Sequence, residues 1–318
     1  MSVNRREFFA AAGAAGMALA APAGAVDAPA ERKEGVLRIS AQEGFIPGKS
    51  LEEKLDKMEK WGIEGLEVGS AIGREESLPK ALKDRKVKMS AICMGSMGGH
   101  LVGPDKEARD KAAEQMKRHL TAAGAVGSTG CVYVPCFNGE QKLPNQEVRK
   151  ILLDVLPAIG EHAVSANSRI LLEPLNRGEA YFLRQLADGA AIARDCKSEG
   201  VCLMGDFYHM AIEEPSNTGA FISAGRRLHH VHLASRTRVA PGQDIKKPGG
   251  KKQDGTVELG DWPDGRGDDV LYLEGFIGLK YIGYQDFCSF ECGCRGDKEV
   301  EIPKVVAFLR ETWDKAKI

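Results

Sequence analysis

The feature that most constrains the fold of this chain is a regular alternation of short apolar runs with longer polar stretches of helical periodicity. It begins near residue 35 and continues to the C-terminus. Apolar runs without polar alternation are typical of strands buried on both faces of a parallel sheet. The eight predicted strands cover residues 35–40, 65–69, 86–94, 130–136, 169–174, 201–206, 228–234 and 284–291.

Helical patterns separate most of these runs. A strict strand-then-helix repeat favours a parallel sheet with right-handed crossovers, and eight such units indicate a (β/α)8 TIM barrel rather than an open sheet. No G-x-G-x-x-G follows the first strand, which argues against a dinucleotide-binding fold. Gly200 is predicted to stop the helix before it. The first predicted helix begins at Ser50. The other predicted helices cover 105–124, 145–166, 183–199, 216–225 and 299–316.

The N-terminal segment is predicted to be an export signal. Arg5-Arg6 precedes an alanine-rich apolar stretch, and a small-residue pattern ends at Ala25. Residues 1–25 therefore resemble a twin-arginine signal peptide, followed by a linker over 26–34 and a single barrel domain over 35–318. This predicts a periplasmic protein with no stable membrane span after cleavage. A transmembrane anchor is the alternative, which the small residues and the proline in the run disfavour.

Charge and cysteine content limit the kinds of partner that we expect this chain to bind. The chain has 44 Lys and Arg against 45 Asp and Glu, a formal net charge of −1. Such a balance gives no electrostatic reason to expect nucleic acid or an anionic membrane as a partner. The eight cysteines permit disulfides, but most lie in apolar strand-like runs, which favours structural thiols. We expect a small-molecule partner and leave homo-oligomerisation open.

Four consecutive predicted strands each carry a potential metal ligand near the C-terminal end: Glu173, Asp206, His232 and Glu291. In a barrel these ends converge on the face where chemistry occurs. A single acid at a strand end has a simple structural explanation, but three converging carboxylates repel one another without a cation. The oxygen-rich donors favour Mn²⁺, with Mg²⁺, Co²⁺ and Zn²⁺ as alternatives. His230 shares the inward face with His232 and is an alternative ligand.

Several motifs lie at or near these strand ends. On them the chain resembles the xylose isomerase-like barrel superfamily, and most closely its D-tagatose and D-psicose 3-epimerases. The resemblance extends over nearly all of the chain after the signal. The motifs are "EPLNR" at 173–177, D-x-x-H-M at 206–210, "HVHLA" at 230–234, R-x-A-P-G at 238–242 and "SFE" at 289–291.

The resemblance implies a role for each matching residue. It implies that Glu173, Asp206, His232 and Glu291 hold one divalent metal, and that Glu173 and Glu291 are also the catalytic acid and base. It further implies that Glu179, His209 and Arg238 contact the substrate. From the residues alone, His209 could instead cap a helix and Arg238 could be a solvated charge.

The implied chemistry is proton transfer next to a carbonyl. A metal-dependent sugar isomerase or epimerase would act through an enediolate on a non-phosphorylated ketose or sugar derivative. A metal-dependent lyase or hydrolase acting on 3-keto-glycosides is the first alternative. A non-catalytic sugar-binding protein is the second, which the presence of both acid–base glutamates disfavours.

Two departures from the epimerases concern the substrate side. Ser235 stands where the family often has an acid, three residues after the strand-seven histidine. The segment 239–270 is long and rich in Gly, Pro, Lys and Asp. Because loops of this length are usually functional or disordered, we expect it to lie over the pocket and set its size. Its lysines are most simply solvated.

Overall fold

The computed structural model describes residues 33–252 and 257–318. The predicted signal peptide over 1–25 and most of the predicted linker over 26–34 lie outside the described residues, so both stay predictions. Among the helices of the described ranges, none combines the length and apolar character needed to cross a bilayer.

Eight parallel strands close into a barrel, which confirms the predicted single (β/α)8 TIM-barrel fold. Each strand pairs with its sequence neighbour in the barrel, and the last barrel strand closes the ring against β1. Strands β8 and β9 form a separate antiparallel hairpin. The strands are β1 Arg38–Gln42, β2 Gly65–Val68, β3 Lys88–Gly95, β4 Cys131–Tyr133, β5 Ile170–Leu172, β6 Val201–Asp206, β7 Leu228–Leu233, β8 Lys247–Lys251, β9 Val257–Gly260 and β10 Phe287–Phe290.

The helices surround the barrel, and both ends of the first helix follow capping chemistry that the sequence shows. Ser50 Oγ accepts a hydrogen bond from Glu53 N at 3.2 Å, and Gly62 ends the first helix at a φ of 73°. The helices are α1 Leu51–Trp61, α2 Ser77–Leu82, α3 Lys106–Ala125, α4 Asn145–Ser165, α5 Leu186–Asp195, α6 Phe207–Glu213, α7 Asn217–Ala224, α8 Asp268–Tyr281 and α9 Lys298–Lys315. Two short 3₁₀ helices, Met97–Val102 and Gly225–Arg227, complete the set.

Helix α5 differs from its prediction at both ends. It ends at Asp195, and Lys197 takes the positive φ that was expected at the glycine. Gly200 instead allows a close approach, since a Cβ there would lie 2.0 Å from the Gly160 carbonyl oxygen. The prediction of Gly200 as a helix stop is therefore wrong.

Three helices of the structure were not predicted from the sequence. The sequence patterns gave no helix for α2, α6 or α8, and two of these have few residues for a period of 3.6 to show. Helix α6 matters for the site, because it begins directly after β6 and carries His209 on its first turn.

The barrel interior has an apolar side and a polar side. Side chains on β3 to β6 form a small buried cluster of Ala91, Val132, Leu171, Cys202 and Met204, separate from the larger core between strands and helices. The opposite wall carries the buried polar residues Ser40, Glu67, His230 and Ser289. Ser40 Oγ pairs with Ser90 Oγ at 2.6 Å. Glu67 and His230 are hydrogen-bonded to each other in this wall, whereas Ser289 Oγ and His230 Nδ1 have no hydrogen-bond partner among the described residues. Burying unpaired polar groups of this kind is costly.

The segment 239–270 is more ordered than predicted over the residues described. It contains the β8–β9 hairpin and the start of α8, with residues 253–256 outside the described range. Asp268 anchors it: its Oδ2 accepts hydrogen bonds from Ser235 Oγ at 2.6 Å and from Gly242 N at 2.7 Å. The hairpin strands are exposed, including Leu259 at 65%. The four lysines of the segment, Lys246, Lys247, Lys251 and Lys252, are exposed as expected.

A histidine at the start of β7 predicts that the stability of the fold depends on pH. Burial alone would lower the pKa of His229, but its hydrogen bond with Asp286 at 2.8 Å and the neighbouring Cys202 raise that pKa to about 9. The protonated pair stabilises the fold fully below about pH 6.5, and this stabilisation is lost as pH rises through about 9. We expect the free energy of unfolding of the wild type to fall by on the order of 2 kcal/mol between those limits. Asp286→Asn should show a smaller fall, measured by denaturant unfolding across this pH range. An equal fall in the variant and the wild type would contradict the assignment.

Candidate metal centre

The four predicted strand-end residues meet at the carboxyl end of the barrel. Asp206 is the last residue of β6, and the register pairs it with His232 on β7. Glu173 and Glu291 each stand one residue beyond a strand and continue its ladder: Glu173 N donates to Tyr133 O at 3.0 Å. One ligand atom from each of the four lies within 4.8 Å of the others, which is compatible with one shared cation.

His232 Nδ1 is the centre of this group. It lies 2.8 Å from Glu291 Oε2, 3.7 Å from Glu173 Oε1 and 3.8 Å from Asp206 Oδ2. The imidazole is completely buried, so its orientation is fixed by packing and by the hydrogen bond at its other nitrogen.

Two buried atoms test whether these residues suit a metal. Glu173 Oε1 and His232 Nδ1 make no hydrogen bond of acceptable geometry within residues 33–252 and 257–318, although Nδ1 lies 2.8 Å from Glu291 Oε2. Both point into the group of carboxylates, and buried polar atoms in this position need a partner. Three carboxylate oxygens and one imidazole nitrogen are donors that suit a hard or borderline divalent cation. The residues therefore fit a metal, and Glu173, Asp206, His232 and Glu291 would hold it.

Arg238 supplies positive charge at the same place. Its guanidinium donates hydrogen bonds to Asp206 Oδ2 and to Glu291 Oε2, and it lies 4.8 Å above the ring of Tyr208. The residue adopts a φ of 60°, a left-handed conformation that is uncommon for a side chain other than glycine or asparagine. Arg238 is thus part of the site and is not the solvated charge that the sequence left open.

His209 also faces the site. Its Nδ1 accepts a hydrogen bond from Asn176 N at 3.1 Å, so its proton lies on Nε2 in the neutral form. That Nε2 is 3.7 Å from Asp206 Oδ2 and 3.9 Å from Glu173 Oε1. The capping role in helix α6 belongs to Asp206 instead, whose Oδ1 accepts from Tyr208 N at 2.8 Å. His209 therefore presents a donor to the pocket.

Glu179 lies at the rim, further from the centre than the other predicted residues. Its side chain is 40% exposed and accepts a hydrogen bond from Asn176 Nδ2 at 3.0 Å. Burial, with Glu179 nearby, raises the pKa of Tyr208. Together with Arg238 these side chains form a polar and aromatic rim of the kind that hydrogen-bonds and stacks on small polar ligands.

Electrostatic effects differ between the two glutamates. Burial raises the pKa of Glu173, and the neighbouring His232 only partly opposes this. Burial alone would also raise the pKa of Glu291, but His232 and Arg238 outweigh it and lower that pKa to about 2. For His232, burial is outweighed by Glu291 and Glu67, which raise its pKa well above the usual value. The two carboxylates therefore have unlike proton affinities at one site, a feature common at functional sites.

Sequence reasoning missed two contributors from other strands. Glu67 on β2 contacts the imidazoles of both His230 and His232 deep in the barrel. Cys93 on β3 has its Sγ 3.6 Å from Glu291 Oε1, and burial raises its thiol pKa well above the usual value. Glu67 is the third residue of the run "GLEV", and its position close to the end of β2 was the signal that could have identified it. All eight cysteines are free thiols.

The fold and the site define a TIM barrel whose catalytic-end face gathers carboxylates and histidines around one point. A comparison with known families makes this specific. Residues 55–312 match the model of the Xylose isomerase-like TIM barrel family, and the chain belongs to that family.

Known relatives are sugar epimerases. The chain is 28% identical over 219 residues to 3-dehydro-D-guloside 4-epimerase of Escherichia coli (strain K12), covering 65% of this chain and 82% of the relative. It is 26% identical over 196 residues to the probable ketose 3-epimerase of Synechocystis sp. (strain ATCC 27184 / PCC 6803 / Kazusa), covering 58% of this chain and 67% of that one. The crystal structure of 3-keto-D-glucoside 4-epimerase from E. coli superposes with a TM-score of 0.70 at 24% identity, covering 87% of this chain and 100% of the other.

These relatives confirm the predicted resemblance and the predicted class, an enzyme of the sugar isomerase and epimerase type. The structural likeness at 24% identity adds support for the fold alone.

The geometry predicts the effect of a ligand substitution. Asp206→Asn keeps an oxygen that can cap α6 but removes one negative charge from the group. We expect it to weaken Mn²⁺ binding by at least about tenfold, because loss even of outer-sphere partners costs that much. Titration calorimetry measures this, and Asp154→Asn, an exposed carboxylate on α4, is the charge-matched control. Equal Mn²⁺ affinity of both variants and the wild type would contradict the assignment of Asp206.

Proposed function

We propose that the protein is a metal-dependent epimerase of non-phosphorylated keto sugars, which inverts a carbon next to a ketone by proton transfer through an enediolate. The convergence of Glu173 and Glu291 with Asp206 and His232 within 4.8 Å carries this proposal. The names of the two relatives support it, since both describe epimerisation of a sugar.

The metal would be held by the four converging residues, with Mn²⁺ the favoured ion because three of the four donors are carboxylate oxygens. When bound, a divalent cation there polarises a substrate carbonyl and stabilises the negative charge of an enediolate.

Glu173 and Glu291 are the proton-transfer pair. They project from β5 and β10, which lie apart in the barrel order, so they approach a bound substrate from different directions. One carboxylate removes the proton next to the ketone, and the other returns a proton to the opposite face. General acid–base catalysis of this type contributes about 10²–10⁴-fold in rate.

The surrounding donors orient the substrate. His209 presents Nε2 toward the carboxylate group, and Arg238 presents a guanidinium beside Glu291. Both can donate to sugar oxygens that carry developing negative charge, which lowers the barrier when the donors are held in place beforehand. Glu179 at the rim accepts hydrogen bonds and suits a sugar hydroxyl.

We favour a keto-glycoside over a free ketose as the substrate. The E. coli relative, of which this chain covers 82%, is named for a 3-dehydro-guloside. The predicted export signal over 1–25 is also compatible with a substrate outside the cytoplasm, and periplasmic localisation is part of the proposal.

Isotope incorporation tests the reaction. The protein with Mn²⁺ is incubated in D₂O with 3-keto-glycosides, free ketoses and sugar phosphates. Deuterium at C4 of a recovered, inverted 3-keto-glycoside is the expected result, and deuterium at C3 of a free ketose would move the substrate to that class. Release of the aglycone without inversion would replace the epimerase with a keto-glycoside lyase, and preferred turnover of a sugar phosphate would contradict the substrate class.

The acid–base pair is tested by two volume-conserving variants. We expect Glu173→Gln and Glu291→Gln each to lower the rate of inversion by at least about 10²-fold, because each removes one proton-transfer group. The two variants should differ in how fast they exchange the substrate proton for solvent deuterium without inverting the carbon. Each variant keeps a carboxylate on only one face of the substrate. Metal content measured on the same samples separates loss of the base from loss of the cation. Inversion at the wild-type rate by either metal-loaded variant would remove that residue from the mechanism.

A further inference from the structure

A second buried group is formed by Glu67, His230 and His232, and it shares His232 with the four converging residues. Glu67 projects inward from β2, and the two histidines project inward from β7. All three side chains are completely buried. The proposed reaction uses only His232 among them, so Glu67 and His230 need a separate explanation.

Hydrogen bonds define this group. His230 Nε2 lies 2.8 Å from Glu67 Oε2, and His232 Nε2 lies 3.1 Å from Glu67 Oε1. Gln42 Nε2 donates to Glu67 Oε1 at 2.9 Å. An ionised carboxylate can only accept hydrogen bonds, so both imidazoles must carry a proton on Nε2.

The proton on Nε2 determines what His232 offers at its other nitrogen. With Nε2 protonated, only Nδ1 can present a lone pair, and Nδ1 is the atom that faces Glu173, Asp206 and Glu291. Histidine ligands in metal sites commonly donate their second ring N–H to a carboxylate, which fixes the tautomer and the ring orientation.

We propose that Glu67 is a positioning residue, which holds His232 as the Nε2–H form so that Nδ1 is available to a metal. The proposal rests on the metal-dependent function proposed above. His230 and Gln42 hold Glu67 in turn, since each donates to the same carboxylate. The two imidazole planes cross at 87°, which brings both Nε2 atoms to one carboxylate.

The same three residues could be read as a second metal site, but their hydrogen bonds argue against it. His232 would have to ligate through both nitrogens and lose its Nε2 proton. Both oxygens of Glu67 already accept N–H groups at 2.8 to 3.1 Å. A carboxylate that bridges two N–H donors explains the geometry without a second cation.

The test compares Glu67→Gln with the wild type in metal affinity and in the proton on His232. The amide has one acceptor oxygen for two imidazole donors, so we expect the Kd for Mn²⁺ to rise by about 10–100-fold. In ¹⁵N-histidine-labelled protein loaded with diamagnetic Zn²⁺, the wild type should show a slowly exchanging Nε2–H of His232. Glu67→Gln should lose or weaken that signal. His230→Gln, whose amide can still donate to Glu67 and which leaves the His232–Glu67 bond in place, is the matched control and should keep the signal.

The outcomes distinguish failure of the proposed metal-dependent function from failure of the positioning role of Glu67. If the wild type binds no metal, the proposed function and this inference both fail. If the wild type and Glu67→Gln bind Mn²⁺ equally and keep the same His232 signal, only the positioning role fails. Binding of two Zn²⁺ per chain, one of them lost in Glu67→Gln, would make the group a second metal site and overturn the inference. If Glu67→Gln does not fold, a Zn²⁺-loaded wild type with the His232 proton on Nδ1 still overturns it.

Discussion

Repulsion among three carboxylates, two of them buried and the third half-buried, is the interaction around which this face of the barrel is organised. Glu173, Asp206 and Glu291 bring ligand atoms within 4.8 Å of one another, where water is largely excluded and like charges repel more strongly than in solution. The protein supplies positive charge and N–H donors at the same point, through Arg238 and the imidazole of His232. A group of carboxylates arranged in this way favours a bound cation, which would offset their mutual repulsion.

The barrel confines these charged side chains to one part of its interior. The lower interior on the β3 to β6 side is filled by an apolar cluster that includes Val132 and Leu171, which gives the strands a packed base. The wall formed by β1, β2, β7 and β10 carries buried polar residues instead, and Glu67 is hydrogen-bonded there on both oxygens. The site thus has a rigid apolar support on one side and a hydrogen-bonded polar support on the other, which holds ligand groups in place before a ligand arrives.

The sequence could predict the residues that stand at strand tips, and it could not predict contacts that depend on the closure of the barrel. Glu173, Asp206, His232 and Glu291 each follow or end an apolar run, so their common location follows from the parallel arrangement alone. The contact of Glu67 with His232 joins β2 to β7, which are not neighbours in the barrel, and it depends on side chains meeting across the interior. The order within 239–270 was missed for a similar reason. Asp268 fixes that segment through Ser235 and Gly242, and such a polar contact has no periodicity to detect.

The strand-end residues and the segment that follows β7 are held in place by different contacts. The four converging residues and Glu67 lie on barrel strands or one residue beyond them, where packing fixes their positions. Ser235, which departs from the acid often found in the epimerases, donates to the buried Asp268 and ties the end of β7 to the start of α8. The same connection carries Arg236, whose guanidinium stacks on Trp262 and pairs with Asp264. These contacts lie beyond the strands, in connections that vary among proteins of one fold, so the segment that carries Arg236 can change without moving the strand-end residues Glu173 and Glu291.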